Sequence, residues 1–229
     1  MKHIYIIVEG QTELEFANKF IIPFLLTKGI STHMQAIMVT MPGGGHGYNH
    51  IEHFKRTITP VLSYKDEPII TTMFDHYGIN SVAKMPNYAD CAKKTNVEDR
   101  IQCLENGLND VVQAIMPYRF FIPNIIRHEF ETLLFADPKE GFSLEDDIII
   151  NELLAICNLF PNIEDINVTP QGAPSKRIDE IYAKHSKKYN KVADGMDIIE
   201  LTGLDTILEK CPRLNDWLER LIAMAKAES

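Results

Sequence analysis

Three apolar runs in this chain stop on a carboxylate. Ile4-Tyr5-Ile6-Ile7-Val8 is followed by Glu9, Thr71-Thr72-Met73-Phe74 leads into Asp75, and Ile125-Ile126-Arg127-His128 leads into Glu129. Continuous β-rich apolar runs suit strands covered on both faces, as in parallel sheets. In an open α/β sheet, ligands bind outside the carboxyl ends of the strands. Strands of one parallel sheet point the same way, so the three acids are expected at one edge although they are far apart in sequence. Carboxylates brought together repel, and something must neutralise them. Mg²⁺ or Mn²⁺ is the expected cofactor, since a hard cation takes oxygen ligands and keeps several waters. Glu13, four residues after Glu9, is a candidate for a second metal position, and Glu131 and His128 flank Glu129.

Each acid also has a plainer reading. Glu13 in a first helical turn complements the helix dipole. An aspartate after a strand, such as Asp75, is often a turn or cap residue. Glu131 reads equally as a surface acid, and His128 as a hydrogen-bonded structural residue or as a general base. The weight rests on three strand-terminal acids occurring together.

The periodicities between these points alternate. Strands are expected at 3–8, 34–39, 69–74 and 119–126. Thr12 to Glu15 fits a capping box that opens a helix running to about Gly29, with a kink at Pro23. Ile51, Phe54, Ile58 and Val61 mark a second helix, broken near Pro60. Val97, Ile101, Leu104, Leu108, Val111 and Ile115 recur at three- and four-residue steps and predict a helix over 97–116. Residues 76–96 form a long irregular insert, and Phe130–Phe135 starts another helix. Strands alternating with helices predict an α/β fold with a central, mostly parallel sheet flanked by helices. After about Asp137 the strand signals fade, and helices are expected near 150–159, 175–189, 198–210 and 213–227. The division expected is a catalytic core at 1–137 and a helical C-terminal extension at 138–229 packed on it.

The formal net charge of −9 excludes the simplest kind of nucleic-acid binder. Such proteins are usually basic, because affinity comes largely from neutralising phosphates. If this chain meets nucleic acid, a metal and a partner must supply the positive charge. No apolar run approaches the ~20 residues that span a bilayer, so no membrane association is expected. The N-terminus has no secretory pattern. Cys91, Cys103, Cys157 and Cys211 lack metal or redox spacing. Free thiols in a reducing cytoplasm are the expectation.

The Gly43–Gly47 run lacks the ending of a P-loop and reads as a loop over the sheet edge, not as an ATP site. His46, His50 and His53 have a spacing conceivable for zinc, but a solvated face is the preferred reading. Lys184, His185, Lys187, Lys188 and Lys191 form the only basic run, either a solvated helix face or a nucleic-acid contact.

The motifs Val8-Glu9-Gly10-Gln11-Thr12-Glu13, Phe74-Asp75-His76-Tyr77-Gly78 and His128-Glu129-Phe130-Glu131-Thr132-Leu133-Leu134-Phe135 together resemble a Toprim-type domain. More narrowly, the chain resembles small stand-alone bacterial Toprim-like proteins akin to the nuclease half of OLD-family (overcoming lysogenization defect) proteins. Pro174-Ser175-Lys176-Arg177-Ile178, Cys211-Pro212 and Trp217-Leu218 extend the likeness over nearly the whole chain. The resemblance implies a Toprim-like Rossmannoid core in which Glu9, Glu13 and Asp75 bind divalent metal. Tyr77 stands where the family has a second aspartate, and Glu129 or Glu131 is the candidate to compensate. Lys176, with Arg177 beside it, matches a lysine near the scissile phosphate; a cation there stabilises developing charge. Lys187 and Lys188 are further candidates for substrate contact.

The implied activity is metal-dependent endonucleolytic hydrolysis of DNA, or of tRNA by a toxin, in anti-phage defence or abortive infection. No Walker motif is present, so a separate ABC- or SMC-like ATPase partner is expected; self-association is left open. The alternative is a non-catalytic assembly or regulatory subunit, signalled by Tyr77. A small-molecule phosphatase is a third, weaker reading.

Overall fold

The computed structural model describes residues 2–41, 50–76, 79–80, 83–127, 129–166 and 172–228. The chain divides into two compact units, residues 1–126 with 217–229, and residues 127–216.

The first unit holds a five-stranded sheet of β1 (Ile4–Val8), β2 (Met34–Met38), β3 (Ile69–Asp75), β4 (Phe121–Ile122) and β5 (Ile125–Ile126). The order is β2-β1-β3-β4, with β5 also paired to β3, and every pairing is parallel. The central strands are apolar throughout because both faces are covered: every residue of β1 is buried, whereas β2 at the edge is only partly so. The first connection, α1 (Gln11–Phe16) and α2 (Ile22–Thr27), carries the chain from β1 outward to β2. The connections through α3 (Ile51–Leu62) and α5 (Val97–Ile115) move the opposite way, to β3 and then β4. Right-handed crossovers place helices of opposite direction on opposite faces, and α3 packs on α5. Phe54 of α3 meets Phe74 of β3 edge-on at 5.7 Å.

Local departures from the expected elements have physical causes. Helix one is capped by Gly10 instead of Thr12, and Glu13 rather than Glu15 occupies the third position. A π-helical turn at Ala17–Ile21 precedes Pro23, which falls in the first turn of α2. The wider turn absorbs a proline that has no N–H to donate. Pro60 does not break α3; the helix runs two residues further, to Leu62. The single strand expected at 119–126 is two short ones, since Pro123 interrupts the ladder. Threonine hydroxyls replace the missing bonds. Thr71 Oγ1 donates to Ile122 O at 2.7 Å, and Thr72 Oγ1 donates to Asn124 O at 2.8 Å while accepting from Asn124 N at 2.8 Å. The buried carboxylate of Glu105 accepts the Ile125 N–H at 2.9 Å, and the fully buried Trp217 donates its Nε1–H to Thr71 Oγ1 at 2.8 Å.

The insert after β3 is less irregular than expected, with a short α4 at Tyr88–Cys91. The expectation of four free thiols is corrected. Cys91 and Cys103 form a disulfide with their Cα atoms 5.5 Å apart, leaving Cys157 and Cys211 free.

The second unit is helical. A 3₁₀ helix at Phe130–Phe135 is followed by α6 (Pro138–Gly141), α7 (Asp147–Cys157), α8 (Pro174–Lys184), α9 (Ala193–Thr202) and α10 (Leu204–Lys210). α11 (Pro212–Ala227) begins in this unit, and its residues from Trp217 belong to the first. The helix expected at 198–210 is split at Gly203, whose φ of +80° ends α9. Gly141 lets α6 lie against α9, because a Cβ there would stand 2.4 Å from Thr202 Oγ1. No helix among the described residues is long and apolar enough to cross a membrane.

Candidate active site

β1 and β3 are neighbours whose onward connections run in opposite directions. Their carboxyl ends therefore flank the topological switch point, the crevice where open α/β sheets bind ligands. The register pairs Val8 with Met73, so the chain leaves both strands side by side, at Glu9 and Asp75. Both residues are half-buried. The Asp75 N–H donates to Glu9 Oε2 at 3.2 Å, which fixes the Glu9 carboxylate beside the backbone of the second acid.

Glu13 is only 4% exposed and accepts the Gly10 N–H through Oε2 at 3.0 Å. It thus caps α1, as the dipole reading anticipated. Gly10 lets that carboxylate come close: a Cβ at this position would lie 3.1 Å from Glu13 Oε2, so the glutamate would have to give by a few tenths of an ångström. The two glutamates on either side of Gly10 are both held by main-chain N–H groups, at the amino end of a helix where negative charge is favoured.

In the second unit, Glu129 sits just before the 3₁₀ helix and reaches the start of α8. Its Oε2 accepts from Ser175 N at 3.2 Å and from Ser175 Oγ at 2.8 Å. Lys176 and Arg177 lie in the first turn of α8, where basic residues oppose the helix dipole; within this unit Glu129 is the anion at that helix start. Ser175 was missed, although it stands in the quoted Pro-Ser-Lys-Arg motif, because its partner lies 46 residues away.

Glu131 is fully buried, so the surface-acid reading is overturned. Lys191 Nζ stands 3.1 Å from its Oε1, and Oε2 has no hydrogen-bond partner among the described residues. Burial holds the Glu131 carboxyl above the usual carboxylate range, with the Lys191 ammonium opposing that shift.

Lys176 is exposed. Arg177 turns inward, donating from Nε to Gly172 O at 2.7 Å with its guanidinium 5.5 Å from the centre of the Phe160 ring. The basic run is largely matched by acids of its own unit. Lys184 and His185 both reach Glu152, at 2.8 and 2.9 Å, and Lys187 pairs with Glu145 and Asp146. Lys188 is exposed.

No group of three or more His, Cys, Asp or Glu side chains able to hold a metal ion occurs among the described residues. His50 caps α3, its Nδ1 accepting from Glu52 N at 3.1 Å. His46, the Gly43–Gly47 loop, Tyr77, Gly78 and His128 lie outside the described residues.

Fold and strand-end acids define a parallel-sheet α/β protein with a helical second unit. The chain belongs to the family described as Domain of unknown function (DUF4276), whose model matches residues 8–222. Among solved structures, it is similar to the C-terminal region of the Xanthomonas campestris pv. campestris OLD protein, at 15% identity over 96% of each chain with a TM-score of 0.37. No curated protein matches the sequence.

Proposed function

We propose that this protein is a Mg²⁺- or Mn²⁺-dependent nuclease of Toprim type, with Glu9 and Asp75 as the metal-binding pair. The observation that carries the reading is their placement at the carboxyl ends of adjacent parallel strands, with Asp75 N–H on the Glu9 carboxylate. The donor set is oxygen only, which suits a hard cation. Mg²⁺ characteristically takes one or two carboxylates and completes its shell with water and substrate phosphate, so a pair of acids is an adequate grip. When bound, the metal would supply an activated water and charge stabilisation for phosphodiester hydrolysis.

The remaining roles follow from the chain. Glu13 keeps the turn between β1 and α1 in place. Lys176 is the exposed cation offered to phosphate, while Arg177 is committed to Gly172 and Phe160 and shapes the start of α8. Glu129 holds that start through Ser175. The ion pairs of Lys184, Lys187 and Lys191 leave an acidic protein with little cationic surface from its basic run. That supports a partner, an ABC- or SMC-like ATPase, that brings the DNA or tRNA substrate.

One observation favours a second reading, a non-catalytic assembly subunit: the Glu129 carboxylate is engaged by Ser175.

Calorimetric titration of Mg²⁺ and Mn²⁺ into the wild type and a Glu9→Ala/Asp75→Ala variant separates the two. Binding lost in a variant that keeps its circular dichroism is the expected result, with cleavage assays on DNA and tRNA following. Undiminished binding in the variant overturns the assignment of the pair, and no binding in either protein favours the assembly subunit.

A further inference from the structure

A cavity of about 260 Å³ opens in the first unit beside the end of β3. Its wall includes His76, the residue after Asp75, together with Asn80, Tyr88 and Arg100, over a floor of Ile79 and Leu104. Ile79 and Leu104 are apolar and buried, only 5% and 1% exposed. The rim carries a guanidinium, a phenol ring, an imidazole and a carboxamide.

The sequence builds this wall deliberately stiff. Arg100, Cys103, Leu104 and Gly107 recur at three- and four-residue steps and so share one face of α5. Gly107 admits the backbone of the insert, since a Cβ there would lie 2.8 Å from Pro86 O. Cys103 is bonded to Cys91 at the end of α4, which carries Tyr88. The insert is thus clamped on α5 at two points one helical turn apart. Arg100 Nη2 donates to Lys94 O at 2.8 Å, which fixes the plane of the guanidinium. A pocket held this way pays little ordering entropy when a ligand enters.

The mixture of groups selects the ligand. A bare anion would use Arg100 and leave the apolar floor and the Tyr88 ring without purpose. A purely apolar ligand would cover a guanidinium whose Nε has no acceptor among the described residues. A nucleotide unit uses both the charge and the ring: phosphate on arginine and base against an aromatic face. The volume lies just below the about 300–1,000 Å³ of drug-sized pockets, room for one base and not for a paired one.

We propose that this cavity is a subsite for one unpaired nucleotide of a single-stranded substrate, seated beside Asp75. The role as a substrate subsite rests on the nuclease reading; the binding itself does not. The test is therefore run without metal. In EDTA, adenosine and thymidine 5′-monophosphates, inorganic phosphate and a single-stranded hexathymidylate are titrated into the wild-type protein and into the Tyr88→Ala, Tyr88→Phe and Arg100→Ala variants.

The expected result is binding of mononucleotides and tighter binding of the hexamer. Tyr88→Ala and Arg100→Ala should each weaken it by about tenfold, the scale of one base–aromatic stack, and Tyr88→Phe should retain it. Four outcomes overturn the proposal: no nucleotide bound, phosphate bound as tightly as a mononucleotide, a hexamer no tighter than a mononucleotide, or indifference to Tyr88→Ala in a folded variant. The two readings fail separately. Nucleotide binding with no metal bound by the wild type removes the nuclease and keeps the pocket. Metal-dependent cleavage unchanged by Tyr88→Ala removes the pocket and keeps the nuclease.

Discussion

Two regions of this molecule place acids near the start of a helix, and they treat those acids differently. At the sheet edge of the first unit, Glu9 and Asp75 are set side by side, the carboxylate of one against the backbone of the other. In the second unit, Glu129 and Glu131 lie two residues apart and each faces a donor or a cation, Ser175 for one and Lys191 for the other. Bringing two carboxylates together costs stability unless a positive charge arrives. Setting a carboxylate on a serine at a helix start returns stability at once, through a charge-assisted hydrogen bond and the dipole. The first arrangement suits the metal-binding role proposed for it, and the second is already sufficient as a structural one.

Substitution of Glu9 tests that contrast most severely. Glu9→Ala should reduce cleavage by more than the about 10–100-fold that loss of an outer metal partner typically costs, with little change in melting temperature. A steady-state nuclease assay beside a thermal melt reads both. A folded Glu9→Ala protein that still cleaves at the wild-type rate would erase the distinction between the two regions.

The disulfide gives the next largest effect, and it belongs to the first region alone. Cys91 and Cys103 are 12 residues apart, and closing a loop of that size stabilises a fold by about 3 kcal/mol in the chain-entropy account. Reduction by dithiothreitol, which leaves two thiols and the oxidised cyclic reagent, should lower the urea midpoint correspondingly. Alkylation should then label Cys91 and Cys103. Cys157, pushed up to about 11 by burial, and Cys211, raised by burial as well, should stay unreactive in the folded protein. An unchanged midpoint after verified reduction would remove the clamp from the description of the first unit.

How far the sequence carried these features depends on their range. The strands β1, β2 and β3 and the long helix α5 were legible because each is a local pattern, an uninterrupted apolar run or a three- and four-residue stripe. The split of β4 from β5 was not, although Pro123 was in view: the repair comes from Thr71 and Thr72, 51 and 52 residues away from their partners in sequence. Gly10 as the cap of α1 was hidden behind the more familiar Thr12. The disulfide joins two elements that no motif links. Among the candidate site residues, Glu9 and Asp75 could be named from strand ends, whereas the partners of Glu129 and Glu131 are fixed by tertiary packing, which periodicity does not encode.

Ser175→Ala sharpens the comparison from the other side. Hydrogen bonds to charged groups contribute about 1.5–3 kcal/mol, so the variant should lose stability on that order. Metal affinity is the discriminating readout. If Glu129 is a structural clamp, Ser175→Ala and Glu129→Ala both lower stability and leave the Mg²⁺ isotherm unchanged. A Glu129→Ala variant with wild-type stability and weakened Mg²⁺ binding would move Glu129 from the structural group to the binding one.

Glu131 offers the smallest effect and the most specific sign. Burial raises its folded-state carboxyl above the usual carboxylate value, against the opposing pull of Lys191. Between the ordinary value and the raised one, the folded protein binds more protons than the unfolded chain, so stability falls as pH rises through that window. Below the ordinary value both states are protonated and the contribution is fully present; above the raised value it is gone. Glu131→Gln keeps the shape, removes the ionisation and so should flatten this part of the stability profile. The variant and wild type should be nearly equally stable at low pH and should diverge in favour of the variant as pH climbs past the carboxylate range. Urea midpoints across that range measure the slope. Divergence in favour of the wild type would mean that the ion pair with Lys191 outweighs the cost of burying the carboxylate, and would place Glu131 with acids that stabilise their unit when charged.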